Sequence, residues 1–166
     1  MWGVVVGVDI AWASARIGVS RMSFAELYRS EYSAMVRVAW SIIGSKTAAE
    51  DLVQDAFVRV GQRYDAIRQP GAYLRRAVVN GCRNELRRNK FRSSVSVPER
   101  VSLDVSTVAI LDALGVLDVR QRTAIVLRYI DDRPDDEIAV LLGVRRATVR
   151  SLIFRGLQRL RVTVEQ

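Results

Sequence analysis

Two short runs of apolar residues at helical spacing adjoin near the carboxyl end of the chain, one on each side of Gly143. Their members are Ile138, Ala139, Leu141 and Leu142 before the glycine, and Val149, Leu152, Ile153, Leu157 and Leu160 after it. Glycine tolerates the left-handed backbone that a tight turn between two helices requires. Ala139 is small where the helices would cross, and β-branched Val149 would pack the second helix on the first. The pattern predicts a helix-turn-helix over residues 135–161.

The polar residues of these two helices are segregated by charge, with acids on the first and arginines on the second. The exposed face of the second helix carries Arg146, Arg150, Arg155 and Arg159. A basic helix on a helix-turn-helix frame is what binding in the major groove of DNA requires. A plain helical hairpin with a solvated arginine face is the alternative interpretation.

Amphipathic helices are also predicted in the first half of the chain. Residues 24–43 form one, which ends at Gly44 and Ser45. Ser23 is its expected N-cap, and Glu26, three residues later, completes a capping box.

The next helix is expected to have Thr47 as its N-cap, with Glu50 completing a second capping box. Its predicted buried side consists of Ala49, Leu52, Val53, Ala56, Phe57 and Val60. Its other side shows Glu50, Asp51, Gln54 and Asp55. In a basic protein an acidic face suits a basic partner. Solvation, together with the favourable position of acids in a first helical turn, is an equally good explanation.

A strongly basic helix is predicted over residues 72–92, after a loop that spans residues 64–70. Against one acid, Glu85, it carries the basic residues Arg75, Arg76, Arg83, Arg87, Arg88, Lys90 and Arg92. Two amides, Asn80 and Asn84, lie among them. Tyr73 near the start of the helix and Tyr64 in the loop are the aromatic residues. Such a surface suits a nucleic-acid backbone and an unstacked base, and a solvated basic helix is the alternative.

The second half of the chain is separated from the first by residues 93–103, which lack helical period and contain Pro98. We interpret this segment as a linker between two all-α domains, over residues 22–92 and 104–166. The second domain is expected to begin with a helix that starts at Asp104 or Ser106. The apolar positions of that helix are Val108, Leu111, Leu114 and Leu117.

Asp118 is expected to cap the following helix, and a turn over residues 131–134 leads into the helix-turn-helix. Five acids near this turn raise the question of a metal site: Asp131, Asp132, Asp135, Asp136 and Glu137. They crowd the start of a helix, where carboxylates are favourable without any metal. No metal and no cofactor is therefore expected.

Residues 1–21 do not continue the pattern of the rest of the chain. Their apolar run is interrupted by Asp9 and is too short to span a bilayer. A secretory signal would carry positive charge before its apolar region, and the first basic residue here is Arg16. We expect an upstream extension with Met22 as the functional start. An additional strand or helix packed on the body is the alternative.

Composition narrows the classes of function. The net charge of +8 and the sequence pI of about 10.5 favour an acidic partner, nucleic acid above all. Only Lys46 and Lys90 among the 26 basic residues are lysines, and arginine favours bidentate contacts with phosphates and base edges. The absence of histidine excludes Ser-His-Asp triads and histidine-ligated metals. The single cysteine, Cys82, excludes internal disulfides and is expected to be a small buried residue.

Three segments, taken in order, resemble the extracytoplasmic-function (ECF) sigma factors, the small sigma subunits of bacterial RNA polymerase. Residues 49–60 (AEDLVQDAFVRV) resemble the family's region 2.1–2.2 helix. Residues 70–88 resemble its region 2.3–2.4 helix, and residues 117–161 resemble its region 4. The resemblance covers residues 22–161, and the chain also lacks the middle domain of larger sigma factors, as this family does.

The resemblance implies a cytoplasmic, non-catalytic protein with two helical domains that binds promoter DNA and the polymerase core, with no membrane association. The polymerase β′ clamp would bind Glu50, Asp51, Gln54 and Asp55, and the β flap is a second expected contact on the polymerase. The opened −10 element would bind Tyr64, Tyr73, Arg76, Asn80, Arg83, Asn84, Arg87 and Arg88. The −35 element would bind Arg145, Arg146, Thr148, Arg150, Ser151 and Arg155. An anti-sigma factor is a further candidate partner.

Two other classes of protein share some of these features. A stand-alone helix-turn-helix regulator, with residues 22–92 as a sensing or dimerising domain, explains the carboxyl-terminal motif but not the second basic helix. A carboxylate-metal nuclease would use the acids, but these are scattered over helix starts and the chain has no histidine.

Overall fold

The computed structural model describes residues 21–91 and 105–164, which form seven α-helices and a short 3-10 helix, with no strand among them. In order these are α1 (Phe24–Ile43), α2 (Lys46–Gln62), the 3-10 helix (Tyr64–Ala66), α3 (Pro70–Phe91), α4 (Val105–Gly115), α5 (Val119–Tyr129), α6 (Asp135–Leu142) and α7 (Arg146–Val164). The predicted all-α fold is confirmed. The predictions for the linker and for an extension before Arg21 concern residues outside the described ranges.

Helices α1, α2 and α3 pack around one apolar interior, which holds most of the first half together. Its fully buried side chains include Met35, Ile42, Val53, Leu74 and Val78. Burying each large apolar side chain contributes about 1.5–3 kcal/mol, so tertiary packing rather than helix propensity stabilises these helices. The predicted capping box is present at the start of α1. The amide of Glu26 donates to Ser23 Oγ at 3.2 Å, and the amide of Ser23 donates to Glu26 Oε2 at 2.7 Å.

The start of α2 differs from the prediction. Ser45, not Thr47, is the N-cap, and its hydroxyl accepts a hydrogen bond from the amide of Ala48 at 3.3 Å. The chain turns at Gly44 (φ 78°) and enters the helix at once, which puts Ser45 three residues before a free amide. Glu50 is then too far along the helix to reach the N-cap, so the predicted second capping box is wrong.

Two further helix boundaries differ from the predicted ones, and one predicted core residue is only half-buried. Helix α3 begins at Pro70 rather than at residue 72, because the fixed φ of proline suits the first helical position. Helix α4 ends at Gly115, so buried Leu117 lies beyond it. Leu52 is half-buried rather than buried and packs over Gly81, where an added Cβ would lie 3.1 Å from it.

The second half is built on α5, whose residues 123–127 are buried between α6, α7 and the first half. Asp118 caps α5 as predicted, since its Oδ1 accepts from the amide of Gln121 at 2.9 Å. Helix α7 crosses α5 closely at Gly156, where an added Cβ would lie 2.5 Å from Cδ1 of Ile125. This crossing fixes how α7 is presented to solvent.

The two halves contact each other directly through α1, α3 and α5. Arg122 of α5 donates to the carbonyl of Ile42, at the end of α1, at 2.9 Å. Arg75 of α3 donates from Nε to Asp131 Oδ2 at 2.6 Å, and its Nη2 lies 3.2 Å from Glu31 Oε2. These polar contacts are partly or largely shielded from water, so they set the relative position of the two basic surfaces described next.

Candidate nucleic-acid interface

The turn between α6 and α7 has the geometry expected of a helix-turn-helix. Gly143 adopts the left-handed conformation (φ 66°), and the amide of Val144 donates to the carbonyl of Ala139 at 3.0 Å. Val149 is fully buried against the first helix, as its sequence position predicts. The second helix begins at Arg146, so its first turns project from a fixed frame.

The −35 candidates all lie at the start of α7 or just before it. Arg145, Arg146, Arg150, Ser151 and Arg155 are exposed, and Thr148 is half-buried. Arg150, Ser151, Phe154 and Arg155 line one shallow depression, because residues three and four apart share a helical face. Phe154 is 64% exposed within this basic face, and charge patterning alone did not single it out.

Arg150 is held in place by a residue of the preceding helix. Its Nε lies 3.2 Å from Oδ2 of Asp135, the first residue of α6. The other carboxylate oxygen of Asp135 faces Arg128 Nη1 at 3.8 Å. The arginine at the centre of the exposed α7 face therefore belongs to an ion-pair group that spans α5, α6 and α7.

Asp131 and Glu137, two other acids near the turn, are also paired with arginines. Asp131 Oδ2 lies 3.5 Å from Arg133 Nε in addition to its contact with Arg75. Arg133 Nη1 faces Glu137 Oε2 at 3.4 Å. Within residues 21–91 and 105–164, no group of three or more potential ligands is arranged to hold a metal ion.

The −10 candidates on α3 form a stripe along one side of that helix. Tyr73, Arg76, Asn80, Asn84, Arg87 and Arg88 are exposed, and Arg83 is half-buried. Offsets of seven and four residues from Tyr73 to Asn80 and from Asn80 to Asn84 keep the aromatic ring and the two amides on one side of the helix. Asn84 Oδ1 accepts a hydrogen bond from Arg87 Nη2 at 2.8 Å within the same helix. The side chain of Asn80 is exposed one turn earlier.

Tyr64, the remaining −10 candidate, is also part of the scaffold. Its hydroxyl donates to the carbonyl of Met22, and its ring meets Phe24 edge-on at 5.6 Å between centroids. The guanidinium of Arg21 lies 5.0 Å above the same ring, and it donates to the carbonyl of Ile67 at 2.7 Å. Tyr64 thus ties the segment before α1 to the loop before α3.

The polymerase candidates form a small acidic surface on α2. Asp51, Gln54 and Asp55 are exposed, and Glu50 is half-buried. This surface lies on the side of α2 opposite Val53, Ala56 and Phe57, which are buried against α1 and α3. A rigid helix therefore presents two carboxylates to solvent within one turn.

Arg75 is a structurally important residue that sequence reasoning did not separate from its basic neighbours. Its side chain is only 12% exposed, and its partners Glu31 and Asp131 lie 44 and 56 positions away. The charge pattern of a single helix cannot predict ion pairs with residues so distant in the chain. Cys82 is buried as expected, and burial raises the pKa of its thiol to about 12.

Two family models match the chain in the order of its two halves. The model for sigma-70 region 2 matches residues 27–92, and the model for sigma-70 region 4 matches residues 107–160. Neither half has, among its described residues, a helix both long and apolar enough to cross a membrane.

Curated relatives and solved structures agree with these matches. The RNA polymerase sigma-E factor of Streptomyces avermitilis is 32% identical over 154 residues, which cover 87% of this chain and 86% of the relative. The ECF RNA polymerase sigma factor SigM of Mycobacterium tuberculosis H37Rv is 29% identical, with coverage of 92% and 82%.

Similar folds occur in solved structures of sigma factors. The sigma factor RpoE in complex with the anti-sigma factor NepR from Bartonella quintana has a TM-score of 0.70 at 23% identity, over 86% of this chain and 96% of that one. The extracytoplasmic function sigma factor SigJ of M. tuberculosis has a TM-score of 0.63 at 25% identity, over 83% and 53%. The chain belongs to the ECF sigma factors, the sigma-70-type subunits that direct RNA polymerase to promoters and to the initiation of transcription.

Proposed function

We propose that α3 and α7 divide promoter recognition between them, α3 holding the opened −10 element and α7 reading the −35 element. The observation that carries this proposal is the pair of exposed basic helices, one in each half of the chain. A stand-alone helix-turn-helix regulator needs only the second of them.

Helix α7 suits duplex DNA. Its first turns carry Arg146 and Arg150 on an exposed face next to the helix-turn-helix turn, and such helices enter the major groove with their amino-terminal residues. Arginine can pair with the O6 and N7 atoms of guanine, and this contact distinguishes guanine from the other bases. Arg159, three turns further along, is better placed for a phosphate, which positions the protein without specifying sequence.

Helix α3 suits an unpaired strand. Its exposed stripe combines arginines, which contact phosphates, with Tyr73 for stacking and Asn80 for hydrogen bonding to a base edge. A base in a duplex offers neither its face nor its full edge, so this surface favours DNA that has already opened.

The acidic surface of α2 suits a basic helix of the polymerase core, since complementary charge guides association. We assign Asp51, Gln54 and Asp55, with Glu50 at the edge, to docking on the β′ clamp, and the second half of the chain to the β flap. The chain acts as a regulatory rather than catalytic subunit, in the cytoplasm where the polymerase works. An anti-sigma factor such as the one bound to the Bartonella RpoE is a further partner we propose.

Co-purification with core polymerase, followed by transcription in vitro, tests the proposed function. We expect a stoichiometric complex that initiates at a promoter selected from a random library. Binding to duplex DNA by the chain alone, without association with core or initiation, would instead identify a stand-alone regulator.

A further inference from the structure

We infer that Asp135 is a positioning residue for Arg150, one that holds the guanidinium in the orientation used to read a base of the −35 element. This inference rests on the proposed role of Arg150. The contact runs from Nε of Arg150 to Oδ2 of Asp135 at 3.2 Å. Because this contact uses Nε, Nη1 and Nη2 of the guanidinium remain available as donors. These two nitrogens have the geometry for a bidentate contact with guanine.

Asp135 is itself well fixed. It is the first residue of α6, where the helix dipole favours a carboxylate. Its side chain is only 16% exposed, and Arg128 flanks its second oxygen. Arg128 is in turn oriented by a hydrogen bond from Nη1 to the carbonyl of Arg133 at 3.3 Å. The anchor for Arg150 is therefore a short, partly shielded side chain on a different helix.

Arg150, by contrast, is 64% exposed and carries a long side chain. An ion pair with so exposed a partner adds little to folding stability, because water and salt screen it. The ion pair instead restricts the conformations available to the Arg150 side chain. An arginine that is already restrained loses less conformational entropy when it binds a base, so the pair strengthens recognition rather than the fold.

The neighbouring residue offers a matched control. Asp136 lies in the same first turn of α6, carries the same charge and is exposed. Asp135→Ala and Asp136→Ala therefore change the net charge and the helix-dipole interaction equally. Of the two, Asp135 is the residue paired with Arg150. Asp135→Asn keeps the shape and one acceptor oxygen, and serves as a conservative variant.

The test uses holoenzyme reconstituted from core polymerase and the full chain, and measures binding to every single-base variant of the preferred −35 element. Arg150→Ala should flatten the preference at one position, from about 5- to 150-fold discrimination to nearly none. Asp135→Ala should reduce discrimination at that same position by about two- to fivefold, and Asp135→Asn by less. Asp136→Ala should leave it unchanged. In the Arg150→Ala background, Asp135→Ala should have no further effect on the preference.

Three results would overturn the inference. The first is an equal loss of binding to all −35 variants in Asp135→Ala and in Asp136→Ala. The second is tighter binding by Asp135→Ala with unchanged selectivity. The third is a change in sequence preference by Asp135→Ala that persists when Arg150 is also replaced. If Arg150→Ala flattens the preference and Asp135→Ala does not, the positioning role fails while the reading role of Arg150 stands. If Arg150→Ala itself causes a uniform loss, the proposed reading role fails as well. Circular dichroism and melting temperature show that each variant is folded.

Discussion

Asp131 accepts a hydrogen bond from Nε of Arg75 at 2.6 Å, which joins the segment before the helix-turn-helix to the helix proposed to hold the −10 element. Both side chains are largely shielded, with 12% of Arg75 and 5% of Asp131 exposed. Glu31 Oε2 lies 3.2 Å from Nη2 of the same guanidinium. One ion-pair group thus connects the two DNA-binding halves.

We expect Asp131→Asn to lower the free energy of unfolding by about 1–3 kcal/mol, because a shielded guanidinium loses its charged partner. The matched control is Asp132→Asn, at an exposed residue with positive φ (50°) that asparagine tolerates. That control should stay within about 0.5 kcal/mol of the wild type. Urea denaturation followed by circular dichroism measures both. Equal losses would contradict a special role for the pair.

The half-buried Arg122 of α5 should contribute more to stability than its exposed neighbour Arg120. Arg122 donates to the carbonyls of Ile42, Gly115 and Leu117 at 2.9, 3.0 and 3.3 Å, and burial lowers the pKa of its guanidinium. We expect Arg122→Leu to destabilise the protein by about 2–4 kcal/mol, since three carbonyls lose a charged donor. Arg120→Leu, on the exposed side of the same helix, is the control and should have little effect. Similar denaturation midpoints for the two variants would contradict this expectation.

Reversing the charge of the α2 surface should abolish binding to core polymerase. The double change Asp51→Arg and Asp55→Arg turns an acidic face basic, so a basic clamp helix would be repelled. Affinity for core is measured in the absence of DNA. The control, Asp65→Arg, reverses an exposed acid of the same half outside this surface and is compared with the single change Asp51→Arg. Unchanged affinity in the α2 variant, with an intact helical spectrum, would exclude this surface as the dock.

Asn80→Ala should reduce the rate of open-complex formation on duplex promoter, because the amide can pair with an extruded base. On a template that is already unpaired at the −10 element, the variant should regain the part of its initiation rate that was lost at the opening step. Gln69→Ala, an exposed amide of similar chemistry just before α3, provides the control. Normal initiation by Asn80→Ala on both templates would mean that Asn80 is only a surface residue.

Arg159→Ala should weaken holoenzyme binding to all −35 variants alike. The slope of the logarithm of the binding constant against the logarithm of the salt concentration should become shallower by about one, as expected for the loss of one phosphate contact. Arg159 is exposed, and its Nη1 donates to Gln121 Oε1 at 3.3 Å. Protein stability is therefore measured in parallel. A changed sequence preference would mean that α7 lies in the groove differently from our proposal.

The helices themselves follow from local sequence. Apolar residues at a spacing of three and four predicted α1, α2, α3 and the helix-turn-helix, because that spacing determines which side chains share a face. Ser23 with Glu26, and Asp118, were predicted as caps because their hydrogen bonds span only three residues. Ser45 rather than the expected Thr47 is the N-cap of α2, because both are good caps and only the position of the turn at Gly44 distinguishes them.

The contacts that matter most for the site arise from packing. Arg75 meets Asp131 across 56 positions because α3 packs on α5, and Arg150 meets Asp135 across 15 because α7 packs on α6. Nothing in helical periodicity distinguishes Arg75 from Arg76, yet Arg75 is largely shielded in an ion pair and Arg76 is exposed. Sequence alone determined which helices form and which faces are basic or acidic. The tertiary structure decided which charges are paired, because burial and partner geometry depend on residues distant in the chain.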